Sequence, residues 1–253
     1  FAGTNSGLIE RTAASGGVSG NSQGQPDFEL LAGGHTGLND GTVGDSYAVG
    51  AVFLANTAQG AAGGFVGRDV STTTVSDSYS TGTVAANTAQ PTLGGFAGEV
   101  LGGGVSGSFW DIETSGLTTS AGGTGLTTFQ LQDTATFLGL AGWDFAGTWA
   151  PGAPGEASLY PQIYTIDPVV YVSPLTLAGI TYGDTETSGT GTVRGGPGTY
   201  LFGPGTEALP QGQIFDQIAL PAGTPAGTPV VARPAGTAQG TLGTQYAVVY
   251  APT

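Results

Sequence analysis

The sequence has no cysteine and no methionine, and all four of its basic side chains are arginines. The absence of cysteine excludes disulfide staples, thiolate zinc sites and thiol chemistry. Arg11, Arg68, Arg194 and Arg233 are widely scattered and face 18 acids, for a net charge of -14. Such a chain cannot neutralise phosphates or an anionic lipid surface, so nucleic acid and membrane surfaces are poor partners. Divalent cations and neutral glycans stay compatible. Charged residues make up only 9% of the chain, far below the usual quarter. No apolar run approaches the roughly 18–20 residues that span a bilayer, so no membrane insertion by helices is expected. The single histidine leaves no multi-histidine metal site.

What is present is glycine, 48 residues of it, with 39% hydrophobic residues and aromatics spread along the length. High Gly and Thr with few Leu, Lys or Glu disfavours helix and favours strands joined by tight turns. A repeat organises the first part. Val43-Gly44-Asp45-Ser46-Tyr47-Ala48-Val49-Gly50-Ala51-Val52 aligns with Val75-Ser76-Asp77-Ser78-Tyr79-Ser80-Thr81-Gly82-Thr83-Val84. Val105-Ser106-Gly107-Ser108-Phe109 opens a third copy, and Ile9 leads a degraded earlier one. A second marker, Gly64-Phe65-Val66-Gly67, Gly95-Phe96-Ala97-Gly98 and the variant Gly34-His35-Thr36-Gly37, advances in phase with the first. Two markers stepping together by about thirty residues imply stacked structural units. Each unit is long enough for a coil of three short strands and turns, with coils pairing about 4.8 Å apart in parallel sheets. The expected side-chain ladders are Val43/Val75/Val105, Tyr47/Tyr79/Phe109 and Phe65/Phe96.

Three regions follow. Residues 1–110 are the repeats, with an insertion expected to loop out near Gln23–Asp27. Phe1-Ala2-Gly3 matches Phe96-Ala97-Gly98, so the chain starts in mid-repeat and is expected to be a processed product or fragment. Residues 111–164 break the period and hold Trp143 and Trp149, with Trp110 at the junction. A helix is expected over Thr127–Leu138, capped by Thr127 and stopped by Gly139. A non-repeating aromatic segment after a solenoid suits a terminal cap. Residues 165–253 hold ten of the fifteen prolines. Their β-rich runs are Val169–Val172, Leu175–Leu177, Ile214–Phe215, Pro229–Val231 and Tyr246–Tyr250. These suit a small Ig-like β-sandwich module, and the duplicated Pro221–Thr228 stretch an extended loop.

The Gly-Phe-Val-Gly and Asp-Ser-Tyr-Ser-Thr-Gly-Thr-Val strips resemble the GLUG repeats of large secreted bacterial adhesins of the filamentous-haemagglutinin kind. The stretch that follows is similar to the segment that trails those repeats. It comprises Ser108-Phe109-Trp110-Asp111-Ile112-Glu113-Thr114-Ser115-Gly116, Gly122-Gly123-Thr124-Gly125-Leu126-Thr127-Thr128, Gly142-Trp143-Asp144-Phe145 and Tyr160-Pro161. The resemblance covers residues 1–164. It implies a secreted or cell-surface location, a parallel β-helix, and adhesion or matrix building without catalytic residues.

The candidate chemistry is sparse. His35 shares its phase with Phe65 and Phe96, which makes it a packing substitute or a solvent-facing variant. Asp45 and Asp77 share a repeat phase, so stacked carboxylates there are the candidate Ca²⁺ ligands; the plainer reading is turn-forming Asp at a corner. Asp111 and Glu113 beside Trp110 have the composition of a sugar cleft, since glycoside hydrolysis uses two carboxylates, but they also suit cap edges. Gly122–Leu126 lacks the lysine and the βαβ context of a phosphate loop. The expected protein is all-β: a short right-handed parallel β-helix with an aromatic cap, then a β-sandwich. Its expected role is non-catalytic display or attachment, with glycan or cell-surface ligands. The alternatives are a self-associating filament subunit joined by end-to-end strand addition and a polysaccharide-active β-helix enzyme.

Overall fold

The computed structural model describes residues 1–23, 28–57, 59–87, 91–145, 148–150, 160–163 and 166, together with the strand backbones of 169–172, 200–201, 206–207, 238–239 and 245–250. Two compact units divide the chain, Phe1–Thr148 and Trp149–Thr253.

The first unit is a parallel β-solenoid of about three turns in which one repeat makes one coil. The first coil holds β1 (Ala2–Asn5), β2 (Leu8–Glu10), β3 (Ala13–Ala14) and β4 (Val18–Asn21). The second holds β5 (Glu29–Gly33), β6 (Thr36–Asn39), β7 (Thr42–Gly44), β8 (Tyr47–Ala48) and β9 (Val52–Ala55). The third holds β10 (Gln59–Gly63), β11 (Val66–Asp69), β12 (Val75–Ser76), β13 (Tyr79–Ser80) and β14 (Val84–Ala86). Above them lie β15 (Thr92–Gly94), β16 (Ala97–Val100), β17 (Val105–Ser106) and β18 (Phe109–Asp111), with β19 (Thr124–Leu126) on β18. Five parallel sheets result, including β1-β6-β11-β16 and β19-β18-β13-β8-β3.

A full coil therefore carries five short strands, not the three expected. Left-handed corners break the path: Arg11, Asp45, Asp77 and Gly107 take φ of 54°, 46°, 46° and 57° at one corner of successive coils. Asp tolerates that region because its short side chain can bond the local backbone. The expected strand over Asp77–Val84 is thus split into β13 and β14, with Gly82 at the corner between them. A Cβ on Gly82 would sit 1.9 Å from the Gly50 carbonyl oxygen, so only glycine lets the two coils close here.

The predicted ladders are in register: Val75 pairs with Val43 and Val105, and Tyr79 with Tyr47 and Phe109. Ile9 pairs with Val43, placing the degraded copy in phase. Inside, Val43, Val75, Phe65, Phe96, Val66 and Ala97 form one core cluster, and Val52, Leu54, Ala32, Ala62 and Val84 a second. The bore narrows where inward residues of β8, β13 and β18 meet glycines. Cβ atoms built on Gly34, Gly64 and Gly95 would fall 3.1 Å from Ala48 Cβ, 2.9 Å from Ser80 Oγ and 1.9 Å from Trp110 Cε3. Burying these apolar side chains, at about 25 cal/mol per Å², is the main favourable term.

After the repeats come two short helices, not the single expected one: α1 (Thr128–Leu131) and α2 (Thr134–Ala141). Thr127 caps α1 in a capping box with Gln130, as its sequence position suggests. The chain then re-caps at Asp133, whose side chain accepts from the Ala135 amide. Gly139 stays helical, and the stop falls at Gly142 in the left-handed region.

In the second unit β20 (Trp149–Ala150) runs antiparallel to β21 (Gln162–Ile163), with Trp149 and Ile163 fully buried. β22 (Val169–Val172) is parallel to β26 (Gln245–Tyr250), which is antiparallel to β25 (Ala238–Gln239). β23 (Tyr200–Leu201) and β24 (Thr206–Glu207) form a further antiparallel pair. The β-rich runs at Val169–Val172 and Tyr246–Tyr250 are strands. Those at Leu175–Leu177, Ile214–Phe215 and Pro229–Val231, the Pro221–Thr228 stretch, and the loop expected at residues 24–27 lie outside the described residues.

Candidate functional site

Polar side chains line up along the solenoid axis in files, and these are its most built chemical features. Inside, Asn5 Nδ2 donates to Asn39 Oδ1 at 2.8 Å, and Asn39 Nδ2 donates to Asp69 Oδ1 at 2.8 Å. All three residues are buried. Asp69 Oδ1 also accepts from the Ser71 amide and hydroxyl, while its buried Oδ2 has no partner. The next rung is Val100, which has nothing to donate. Each net hydrogen bond in such a file is worth about 1 kcal/mol, and an unmatched buried oxygen costs about as much or more.

A second file consists of Thr12, Ser46, Ser78 and Ser108. Each serine hydroxyl donates to the carbonyl two residues back, Gly44, Ser76 and Ser106 respectively. Each serine Oγ in turn accepts the amide of its counterpart one coil earlier. The third file is aromatic. Phe1, His35, Phe65 and Phe96 stack with centroids 5.0, 4.5 and 4.8 Å apart and rings within 14° of parallel. His35 is fully buried, which selects the packing substitute over the solvent-facing variant. Its Nε2 lies 2.7 Å from Thr12 Oγ1 and its Nδ1 2.9 Å from Thr36 Oγ1. Burial first, and the Phe1 amino group second, push its pKa down to about 3.

Asp45 and Asp77 occupy equivalent left-handed corners, as their shared phase implies. Burial, and then the Asp45 charge, raise the Asp77 carboxyl above its ordinary range. Among the described residues no third acidic, histidine or cysteine side chain gathers with them. Two carboxylates fall short of the 6–8 oxygen ligands Ca²⁺ takes, and Arg11 holds the same corner one coil earlier.

Asp111 and Glu113 are engaged by the start of α1 and the turn before it. Asp111, fully buried, accepts at Oδ1 from the Glu113 and Thr114 amides and at Oδ2 from the Thr128 hydroxyl. Glu113 Oε2 accepts from the Thr128 amide at 2.8 Å. Glu113 thus takes the first amide of α1, a donor with no partner inside the helix, and Asp111 takes the hydroxyl of the same residue.

On the outside, Arg68 bridges coils. Its Nε donates to Glu99 at 2.6 Å and its two terminal nitrogens to Glu29, one of them to Oε2 at 2.8 Å. These bonds raise the guanidinium pKa and lower that of Glu29. The outward Tyr47/Tyr79/Phe109 file is overlaid by Phe137 and Trp143, centroids 5.3 and 5.7 Å from Phe109, and Trp143 Nε1 donates to the Gly107 carbonyl at 2.7 Å. Trp110 points inward beside Gly95, and Leu117 packs on both core clusters.

The asparagine file, the Arg68 bridge and the two threonines beside His35 are absent from the sequence reading. Aligning whole repeats exposes the first: Asn5, Asn39, Asp69 and Val100 each lie four residues past the aromatic slot.

No protein-family model matches the chain, and no solved structure matches it. It is similar to a protein of Evansella cellulosilytica named "Putative Gly-rich membrane protein", 38% identical over 111 residues. That match covers 43% of this chain and 12% of the relative's length. Among the described residues no helix is long and apolar enough to cross a membrane, which does not bear on β-barrels.

Proposed function

We propose that this chain is a structural segment of a secreted or cell-surface bacterial protein, with a non-catalytic role in display or attachment. One observation carries the reading: the polar side chains of the solenoid join coil to coil. The asparagine and serine files and the Arg68 bridge all connect successive coils, and Asp111 and Glu113 anchor a helix. Such chemistry builds a rod that holds whatever is attached to it. The similarity to part of a longer glycine-rich protein supports a segment of a large surface chain.

Within this reading the repeats are of the GLUG adhesin type and the solenoid winds to the right. Residues 111–164 supply its aromatic cap, with Trp110 and Leu117 over the core and Phe137 and Trp143 on the flank. The Pro-rich region is an Ig-like module. Saturable binding of the labelled chain to cells or a glycan array tests attachment; loss of both leaves a spacer. Depolymerisation of a polysaccharide, abolished in Asp111→Asn or Glu113→Gln, would replace the reading with the enzyme. Concentration-dependent polymers in sedimentation would replace it with the filament subunit.

A further inference from the structure

His35 departs from its file, and it does not depart alone. The rungs equivalent to Thr36 are Ala2, Val66 and Ala97, none with a hydroxyl. The other members of the file that holds Thr12 are serines. Where the aromatic slot carries an imidazole, the next residue gains a hydroxyl that meets Nδ1, and a neighbouring coil supplies one that meets Nε2.

The serine file fixes where the protons lie. Ser46 spends its single hydroxyl proton on the Gly44 carbonyl at 2.7 Å, so at its 3.0 Å contact with Thr12 it can only accept. The Thr12 hydroxyl therefore donates to Ser46, and its oxygen accepts from His35 Nε2–H. Nδ1 is left bare and accepts from the Thr36 hydroxyl. Of the two neutral tautomers, only Nε2–H satisfies both contacts.

We propose that Thr12, His35 and Thr36 form an acid-operated latch between the first two coils. Thr12 belongs to the first coil and the other two to the second, so the hydrogen-bond chain crosses the boundary. A proton taken up from solvent at Nδ1 turns that atom into a donor and displaces the Thr36 hydroxyl proton. It also places a positive charge in the buried file between Phe1 and Phe65. The elements packed on the ring contribute Thr12, Thr36, Ser46 and Phe65, all uncharged. Among the described residues the charged group near it is the Phe1 amino group, which also opposes protonation. Among the described residues no carboxylate meets the ring to compensate the charge.

Burial lowers the imidazole pKa from 6.5 to about 3. The folded state thus binds the proton less tightly than the open state. The stability from the neutral ring is complete above pH 6.5 and is lost as pH falls toward about 3. Between pH 7 and pH 4 that loss is about 200-fold in the closed-to-open ratio.

Amide hydrogen exchange on the intact chain, corrected for the intrinsic pH dependence, reads the latch. The Tyr47 and Val49 amides donate to Thr12 and Ala14 across the first boundary; Tyr79 and Thr81 donate to Ser46 and Ala48 across the next. Acidification to pH 4 is expected to strip protection from Tyr47 and Val49 first. In His35→Phe, which places in the slot the residue its neighbours use, the two pairs should lose protection together. Equal loss at both boundaries in the wild type, or the same staggered loss in His35→Phe, overturns the proposal. Imidazole ¹⁵N shifts of the unmodified chain test it without a variant: an Nε2–H ring that stays neutral to pH 4 is expected, and an Nδ1–H ring or titration near pH 6.5 overturns it.

Discussion

Replacing Phe65 with alanine should cost far more than replacing Phe53, though both are phenylalanines on neighbouring coils. Phe65 is fully buried, with His35 at 4.5 Å on one face and Phe96 at 4.8 Å on the other. Its removal leaves a ring-sized gap in a column whose rungs are fixed by backbone pairing. The walls cannot collapse without breaking the parallel register. Phe→Ala at such a site costs about 3–5 kcal/mol, including the roughly 0.5–1.5 kcal/mol of each ring-stacking contact. Against a total stability of about 5–15 kcal/mol, that is a large share. Phe53 points outward between Ser19 and Ala85 and is 41% exposed. Phe53→Ala should cost below about 1 kcal/mol. Urea unfolding followed by tryptophan fluorescence gives both midpoints, and the slope checks that cooperativity is retained. An equal or larger loss for Phe53→Ala would refute the inward assignment of the aromatic slot.

Asp69→Asn should stabilise the protein by about 1 kcal/mol in thermal melts at pH 7, because it removes a buried carboxylate oxygen with no partner and supplies a donor like that of Asn39. Arg68→Gln should lower stability by on the order of 1 kcal/mol through two partly exposed ion pairs, and the difference should shrink in 1 M salt. Asp77→Asn should stabilise by ~0.5 kcal/mol at neutral pH, the scale of an unfavourable cross-strand charge pair. The raised Asp77 pKa means the folded state favours the protonated acid, so this gain should vanish as pH falls below the ordinary carboxylate range. A calcium-dependent rise in melting temperature that Asp77→Asn abolishes would instead favour metal binding at this corner.

The repeat register was legible because two markers in fixed phase constrain stacking far more than local propensity does. Ile9, Val43, Val75 and Val105 align in the structure as they do in the text of the sequence. The strand count per coil was not legible, since it depends on left-handed corners at residues such as Asp45 and Asp77. A corner aspartate reads the same whether it bends a strand or ends it. The α1–α2 break escaped for a related reason: Gln132-Asp133 resembles helix interior until the Asp133 side chain turns back to cap Ala135. Gly139 has helical neighbours on both sides, whereas Gly142 meets the bulky Trp143 that must leave the axis. At the candidate sites, the phase of His35 placed it in the aromatic file but left a solvent-facing ring open, which its burial excludes. The Thr12 hydroxyl serving its ring was invisible because Thr12 lies 23 residues away and comes into contact only through the coil geometry.

Methyl and aromatic NOEs test the stacked register most directly. The account predicts contacts linking Val43 to Val75 and Val75 to Val105, together with a Tyr47–Tyr79 ring contact at the 5.2 Å centroid separation. Absence of these contacts, or a set shifted by one or more residues along either strand, would contradict it.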